Sequence, residues 1–319
     1  MALISTSSRD AAALLNQNEI VAIPTETVYG LAGNAYSEKA LKKIFELKKR
    51  PFYNPLIVHI KSGADLNQIA SEIPEQAKLL ADVFWPGPLT LVLKRQHTIP
   101  DLVTAGKDTV AVRVPNHPVT LALLEQLNFP LAAPSANPFG SISPTKAEHV
   151  ANYFATSSLT VLEGGECRSG IESTIIGFED ESAVLYRLGS ITIEEIEAVI
   201  GSLKIKTHKG EAPLAPGMLS KHYAPKTTTV LTETISQALV LFATKRIGLL
   251  TYQDHFENKN IVANEILSPT GDLTEAASQL YNALHKLDQL ELDVIIAERF
   301  PDHGLGRTIN DRLERATKK

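Results

Sequence analysis

The sequence predicts an α/β protein in two units, a twisted mixed sheet with helices packed on it followed by a smaller Rossmann-like unit. Three observations carry this. Short runs rich in Val and Ile alternate with segments of helical period along the chain. Near residues 204–228 that alternation stops in a basic stretch punctuated by Pro and Gly. The chain has 319 residues, 44% hydrophobic and 21% charged, a globular composition and enough for about two domains at ~150 residues each.

The first unit, residues 1–203, opens with a helical pattern in SRDAAALLNQ, where Ser8 is the expected N-cap. Strand runs follow at EIVAIPT (19–25), PLIVHI (55–60), LTLVL (89–93), TVAVRV (109–114), FPLAAP (129–134), TVL (160–162), STIIGF (173–178) and AVLYRL (183–188). Between them, SEKALKKIFELKK, PEQAKLLADVF, PVTLALLEQL and TKAEHVANYF read as helices, the first capped by Ser37. The irregular order of these elements is what suggests a mixed sheet. Residues 204–228 read as a linker. Residues 201–226 hold five Lys, one Glu, three Pro and three Gly, with no sustained period. In 229–319, TISQALVLFAT, LTEAASQLYNALHKLDQL and LGRTINDRLERATKK read as helices, and RIGLLTY, NIVANEIL and DVIIAERF as strands.

Charge and cysteine content exclude several functions. The net charge is −5, and residues 1–200 carry 16 basic against 22 acidic residues, a balance of −6. Tight nonspecific RNA binding, which runs on Lys and Arg, is not expected. Cys167, the only cysteine, excludes an internal disulfide and a Cys-rich zinc site. No apolar run approaches the roughly 18 residues of a membrane span, and MALISTSSRD has neither a basic n-region nor an apolar h-region. A cytoplasmic location is expected.

The standard nucleotide and hydrolase motifs fail. Gly106-Lys107 is followed by Asp108, and Gly304-Leu305-Gly306 lacks a third glycine. What remains is a set of polar loops at strand ends: PTETVYGLAGNA (24–35), KKRPFYNP (48–55), WPGPLT (85–90), PLAAPSANPFGSISPT (130–145), SGIESTII (169–176) and APGMLSKHYAPK (215–226). Taken singly, such Ser, Thr and Pro loops are ordinary turns. Lys48-Lys49-Arg50 suits a helix C-terminus, where cations are favourable. His59 reads as a satisfied core histidine, and His222-Tyr223 can merely pin the linker. Arg113 differs. It interrupts an apolar strand, so it needs an anionic partner, either a ligand or a local carboxylate.

In sum, these loops resemble the long, two-domain form of the threonylcarbamoyl-AMP synthase family, with an N-terminal YrdC-like domain. PTETVYGLA, K-x-R-P-x-x-N-P-L-I-V-H, WPGPLT, VAVRVP, APSAN, S-x-S-P-T and G-x-x-S-T-I occur in the family's order, and PGMLSKHYAP and FPDHGLGRTINDRL extend the match. The resemblance implies a nucleotidyltransferase that makes L-threonylcarbamoyl-AMP and pyrophosphate from L-threonine, bicarbonate and ATP. Other proteins, the threonylcarbamoyl transferases, then modify tRNA with the product. It implies Lys48 and Arg50 as catalytic phosphate holders, and an ATP site of Lys48, Arg50, Asn54, Thr109, Ser135, Ser143, Arg187 and Tyr223, the last folding back over ATP from the 204–228 linker, which is expected to serve as an active-site lid. The threonine pocket it implies is Thr27, His59, Arg113, Ala133 and Ser173, with Arg113 meeting the carboxylate. Mg²⁺ would ride on the triphosphate, with no ligand from protein side chains. Leu188 stands where the family usually has proline after the arginine, which implies a less rigid turn. The C-terminal domain carries no recognisable catalytic set and is expected to anchor the linker or dock a partner.

Two other readings compete. A non-catalytic RNA-binding module would grip tRNA through the basic linker, against the −6 balance of the first 200 residues. A different carbamoyl-transfer enzyme of the hydrogenase-maturation type needs acylphosphatase and zinc-finger segments, for which this chain has no room.

Overall fold

The computed structural model describes residues 2–180, 182–206, 215 and 222–318. In chain order the first unit has strands β1 (Leu3–Ser5), β2 (Val21–Ile23), β3 (Gly30–Asn34), β4 (Ile57–His59), β5 (Ala70–Glu72), β6 (Leu89–Arg95), β7 (Thr109–Arg113), β8 (Leu131–Ala132), β9 (Thr160–Leu162), β10 (Thr174–Glu179), β11 (Ser182–Arg187) and β12 (Lys204–Ile205). Its helices are α1 (Ser8–Asn16), α2 (Glu38–Lys48), α3 (Leu66–Ile69), α4 (Glu75–Phe84), α5 (Asp101–Thr104), α6 (Pro118–Leu124), α7 (Ala147–Tyr153) and α8 (Ile193–Ile200). One mixed sheet runs β1-β9-β2-β3-β8-β4-β7-β6-β10-β11-β12, with β5 against β6.

The expected strands are present, and the structure adds β1, β3, β5 and β12. β3 lies inside the loop expected at 24–35, because GLAGN has no β-branched residue to signal a strand. Its glycines serve close packing. A Cβ on Gly33 would come within 3.2 Å of Ile44, and one on Gly30 within 3.3 Å of the Ala133 Cβ. Ser37 caps α2 by accepting from the Ala40 amide. The cap of α1 is Ser7 rather than the expected Ser8, since Ser7 has the extended backbone from which its hydroxyl reaches the Asp10 amide.

The second unit has β13 (Thr229–Thr232), α9 (Ile235–Leu241), β14 (Ile247–Thr251), β15 (Ile261–Ile266), α10 (Leu273–Asp288), β16 (Val294–Glu298) and α11 (Leu305–Ala316). Its sheet, β13-β16-β14-β15, is parallel throughout; α9 and α10 make two of its crossovers, and the non-helical segment 252–260 makes the third. The two units share a core. Val28, Ile142, Ile171 and Tyr223 pack in one cluster with Leu280, Tyr281, Leu284 and Ile309. Across the same interface, the rings of His149 on α7 and His285 on α10 stack at 3.9 Å.

Of the linker expected at 204–228, residues 207–214 and 216–221 lie outside the described residues, and with them Pro216-Gly217 and Lys221. Ala215 is fully buried among Ile57, Val92, Ala111, Ile175, Val184 and Tyr186, so it lies on one face of the first sheet. Beyond it, the Ala224 amide donates to the Gly140 carbonyl at 2.9 Å, and His222 meets Phe139 edge to face.

Candidate active site

Strand ends converge where β4 and β7 run parallel, with His59 paired in register to Arg113. Ala133 follows β8, and its amide donates to the Ile57 carbonyl at 2.9 Å. Ser173 precedes β10, and its hydroxyl lies 2.7 Å from that of Thr90. Arg187 ends β11. These ends surround a cleft whose walls include Thr27, Arg50, His59, Arg113, Ala133, Ser135, Glu172, Ser173, Arg187, His222 and Tyr223.

The pocket expected for threonine is therefore brought together whole. Arg113 is buried. Its Nη2 donates to Glu26 Oε2 at 2.7 Å and its Nη1 to the Thr27 hydroxyl at 3.1 Å, while Nε is buried with no partner. The alternative left open by the sequence is thus answered in part: a local carboxylate, Glu26, pairs with Arg113, while its Nε is left without a partner in the chain. His59 is pulled down to about 3, first by burial and then by the Arg113 charge. At neutral pH it presents an uncharged imidazole.

The expected ATP residues divide. Arg50, Ser135, Arg187 and Tyr223 line the cleft. Lys49 ends α2 in the left-handed conformation, after which Arg50 is buried, its Nη2 donating to the Pro55 carbonyl at 2.8 Å and its Nε to the Asn54 carbonyl at 3.2 Å. Burial is also the main reason its guanidinium is lowered to about 9, with Arg187 adding repulsion. Arg187 Nη2 donates to the Ser173 carbonyl at 2.7 Å and to its hydroxyl at 2.9 Å. Two desolvated cations on one wall make a site for a polyanion.

Lys48 lies elsewhere. Its ammonium is buried and donates to the Ser135 and Asn137 carbonyls, so it holds the 135–137 loop from behind. Burial lowers its pKa well below that of an ordinary lysine. Asn54 is fully buried, and neither of its amide atoms has a partner. Ser143 donates to Glu172 at 2.7 Å. Thr109 begins β7, four residues before Arg113, about 13 Å away along the strand at ~3.3 Å per residue.

Sequence reasoning missed Glu26, Glu172, Tyr281 and Arg312. Glu172 is buried on the cleft wall. It accepts from the Ser143 hydroxyl, from the Tyr281 hydroxyl at 2.9 and 3.1 Å, and from Arg312 Nε at 2.9 Å. Burial pushes its carboxyl up, but Arg312 and then Arg187 outweigh it and hold the group at about 2. Tyr223 is buried with a backbone φ of +64°, uncommon for a bulky residue. Its ring lies beside Tyr281 and under the Arg312 guanidinium, 4.9 Å from the ring centre. Among the described residues there is no group of three or more His, Cys, Asp or Glu placed to hold a metal ion, and no helix is long and apolar enough to cross a membrane.

Residues 13–189 match the family described as "Telomere recombination", and residues 191–317 match the "Threonylcarbamoyl-AMP synthase, C-terminal domain". The threonylcarbamoyl-AMP synthase of Bacillus subtilis is 43% identical, the match covering 96% of this chain and 91% of that protein. The one from Pyrococcus abyssi is 41% identical over 97% and 93%. The crystal structure of P. abyssi Sua5 complexed with L-threonine superposes with a TM-score of 0.93 at 39% identity, covering 99% of this chain and 97% of that one.

Proposed function

The chain belongs to the threonylcarbamoyl-AMP synthase family, and from that membership we infer how its cleft carries the reaction. It is an enzyme of the nucleotidyltransferase type. L-Threonine takes the pocket of Thr27, His59, Arg113, Ala133 and Ser173, its carboxylate on the unpartnered Nε edge of Arg113. ATP takes the wall of Arg50, Ser135 and Arg187, its phosphates facing the two guanidiniums, which bind phosphate oxygens in a fork. The threonine amine joins CO2 to give a carbamate and a proton, or bicarbonate to give a carbamate and water. A carbamate oxygen then attacks the α-phosphorus; the bond to the β-phosphate oxygen breaks, and pyrophosphate leaves.

Neither step needs a protein nucleophile. The chain's part is to orient two substrates, neutralise charge and keep water out. Asn54, with both amide atoms buried and unsatisfied, is a candidate for a polar contact to the nucleotide. Thr109 and Ser143 would act at greater remove, Ser143 through Glu172. Lys48 supports the phosphate wall by fixing the carbonyl of Ser135. Mg²⁺ would arrive on the triphosphate, where it supplies further neutralisation. The cationic wall fits that arrangement, and Glu172 is already saturated by its three partners. The product would pass to threonylcarbamoyl transferases acting on tRNA, and a cytoplasmic setting suits that use.

The observation that supports this best is the meeting of Arg50, Arg113, Ser173 and Arg187 in one cleft. The test is pyrophosphate release from ATP with threonine and bicarbonate, each omitted in turn, and with valine in place of threonine. Release should require all three substrates, and threonine should outrun valine by far, because a site that hydrogen-bonds a hydroxyl rejects analogues lacking it. Equal turnover of the two amino acids would overturn the threonine assignment.

A further inference from the structure

We propose that Arg312, on the last helix of the second unit, is a positioning residue of the active site: by fixing Glu172 it keeps Arg187 directed at the nucleotide. The proposal rests on the reading above that this cleft binds ATP.

Arg312 is 1% exposed. It lies within the buried stripe of α11, which also carries Gly306, Ile309, Leu313 and Ala316. An aliphatic side chain there would dock the helix at lower cost, since a buried ion pair gains little or nothing over packed apolar groups. What the guanidinium does instead, besides pairing with its chain neighbour Asp311, is touch the cleft wall at Glu172 and Tyr223 and the backbone just past Arg187. Nε donates to Glu172 Oε2 at 2.9 Å, Nη2 donates to the Leu188 carbonyl at 2.6 Å, and the plane lies over the Tyr223 ring. Glu172 and Leu188 are the chain neighbours of Ser173 and Arg187. Those two are themselves joined, because Arg187 donates to the carbonyl and hydroxyl of Ser173. One side chain of the second unit therefore braces both segments from which the phosphate wall and the threonine pocket meet.

The electrostatics give the brace a direction. Glu172 is a buried carboxylate whose cationic neighbours are Arg312 and, next in influence, Arg187. With Arg312 in place its charge is met from behind the wall. Without Arg312, Arg187 becomes the carboxylate's principal counter-charge, and phosphate must compete with Glu172 for it. The remaining hydrogen-bond partners of the carboxylate, the Ser143 and Tyr281 hydroxyls, are neutral donors, and nearby His222 is lowered to about 3 by burial and so uncharged at neutral pH.

The test uses the full chain with R312M, R312K, E172Q and the R312M/E172Q double variant. Affinity for a non-hydrolysable ATP analogue is read by titration calorimetry, and kcat and KM by pyrophosphate release. R312M should weaken the analogue by about tenfold or more, as removal of one partner from a buried pair does, with the loss mainly in KM for ATP. R312K should recover part of it. The double variant should bind more tightly than R312M, because the competing carboxylate is gone. A folded R312M with wild-type affinity overturns the proposal, as does a double variant no better than R312M. If R312M does not fold, an R312K that binds like wild type has the same force. Wild-type protein that does not bind the analogue overturns the nucleotide reading together with this inference, whereas normal wild-type binding with an unaffected R312M overturns the inference alone.

Discussion

Arg113 is where pairing within the chain and pairing with substrate compete. Glu26 holds one edge of the guanidinium and Thr27 a second donor, while Nε is buried without a partner. In Glu26→Gln the buried cation keeps only neutral partners, at a cost of about 3–5 kcal/mol. A substrate carboxylate would then supply the missing charge. E26Q should melt lower than wild type, and L-threonine should raise its melting temperature by more than it raises that of wild type in differential scanning fluorimetry. Equal shifts would place the threonine carboxylate elsewhere. Arg113 could be singled out from the sequence because a charge between valines is conspicuous within one strand. Its partner could not, since Glu26 lies 87 residues away in a polar loop, and nothing local marks which of many acids will be buried.

At the level of elements, the cleft depends on loops that carry little regular structure and are held by single buried groups. Strands such as β4 and β7 were legible because β-branched runs signal them, whereas β3 was hidden by its glycines. The expectation that Lys48 touches phosphate came from the family resemblance, against the plainer reading of Lys48-Lys49-Arg50 as solvated cations at a helix end. Burial changes that picture for both. Lys48 braces the 135–137 loop, and Arg50 binds carbonyls of its own loop, so neither is a solvated helix-end cation. Lys48→Met should leave two carbonyls without their donor, costing about 1–3 kcal/mol of stability per unsatisfied group. It should also raise KM for ATP, because Ser135 is on the cleft wall. Chemical denaturation alongside pyrophosphate release separates the two effects. A K48M protein of normal stability whose ATP affinity alone is lost would return Lys48 to direct phosphate contact.

For the whole molecule, buried histidines set the response to acid. His59, His149 and His222 are lowered to about 3 and His285 to about 4, each chiefly by burial. In the unfolded chain they take up protons near pH 6.5, so the unfolded state binds more protons throughout the window between about 4 and 6.5. Stability therefore falls as pH drops through that window. Each such histidine removes up to about 2 kcal/mol between pH 7 and 5. Glu172, held at about 2, withdraws its own contribution only below about 4.5. The protein should begin to lose stability near pH 6, ahead of any carboxylate, in thermal melts across a pH series. Because His149 and His285 stack across the interface between the units, His149→Phe should flatten that slope. An onset at pH 4 in wild type would show that these rings are hydrated in solution.

The pairing of Glu172 with Arg312 also has a consequence in time. The ribosome makes the carboxylate 140 residues before the guanidinium that meets it. At about 5–20 residues per second that is an interval of roughly 7–28 s, during which the nascent first unit can collapse around an acid lacking that counter-charge. A chain interrupted anywhere in the interval would hold most of the residues of the cleft yet lack the group that aligns them, so maturation of the catalytic centre is tied to synthesis of the second unit.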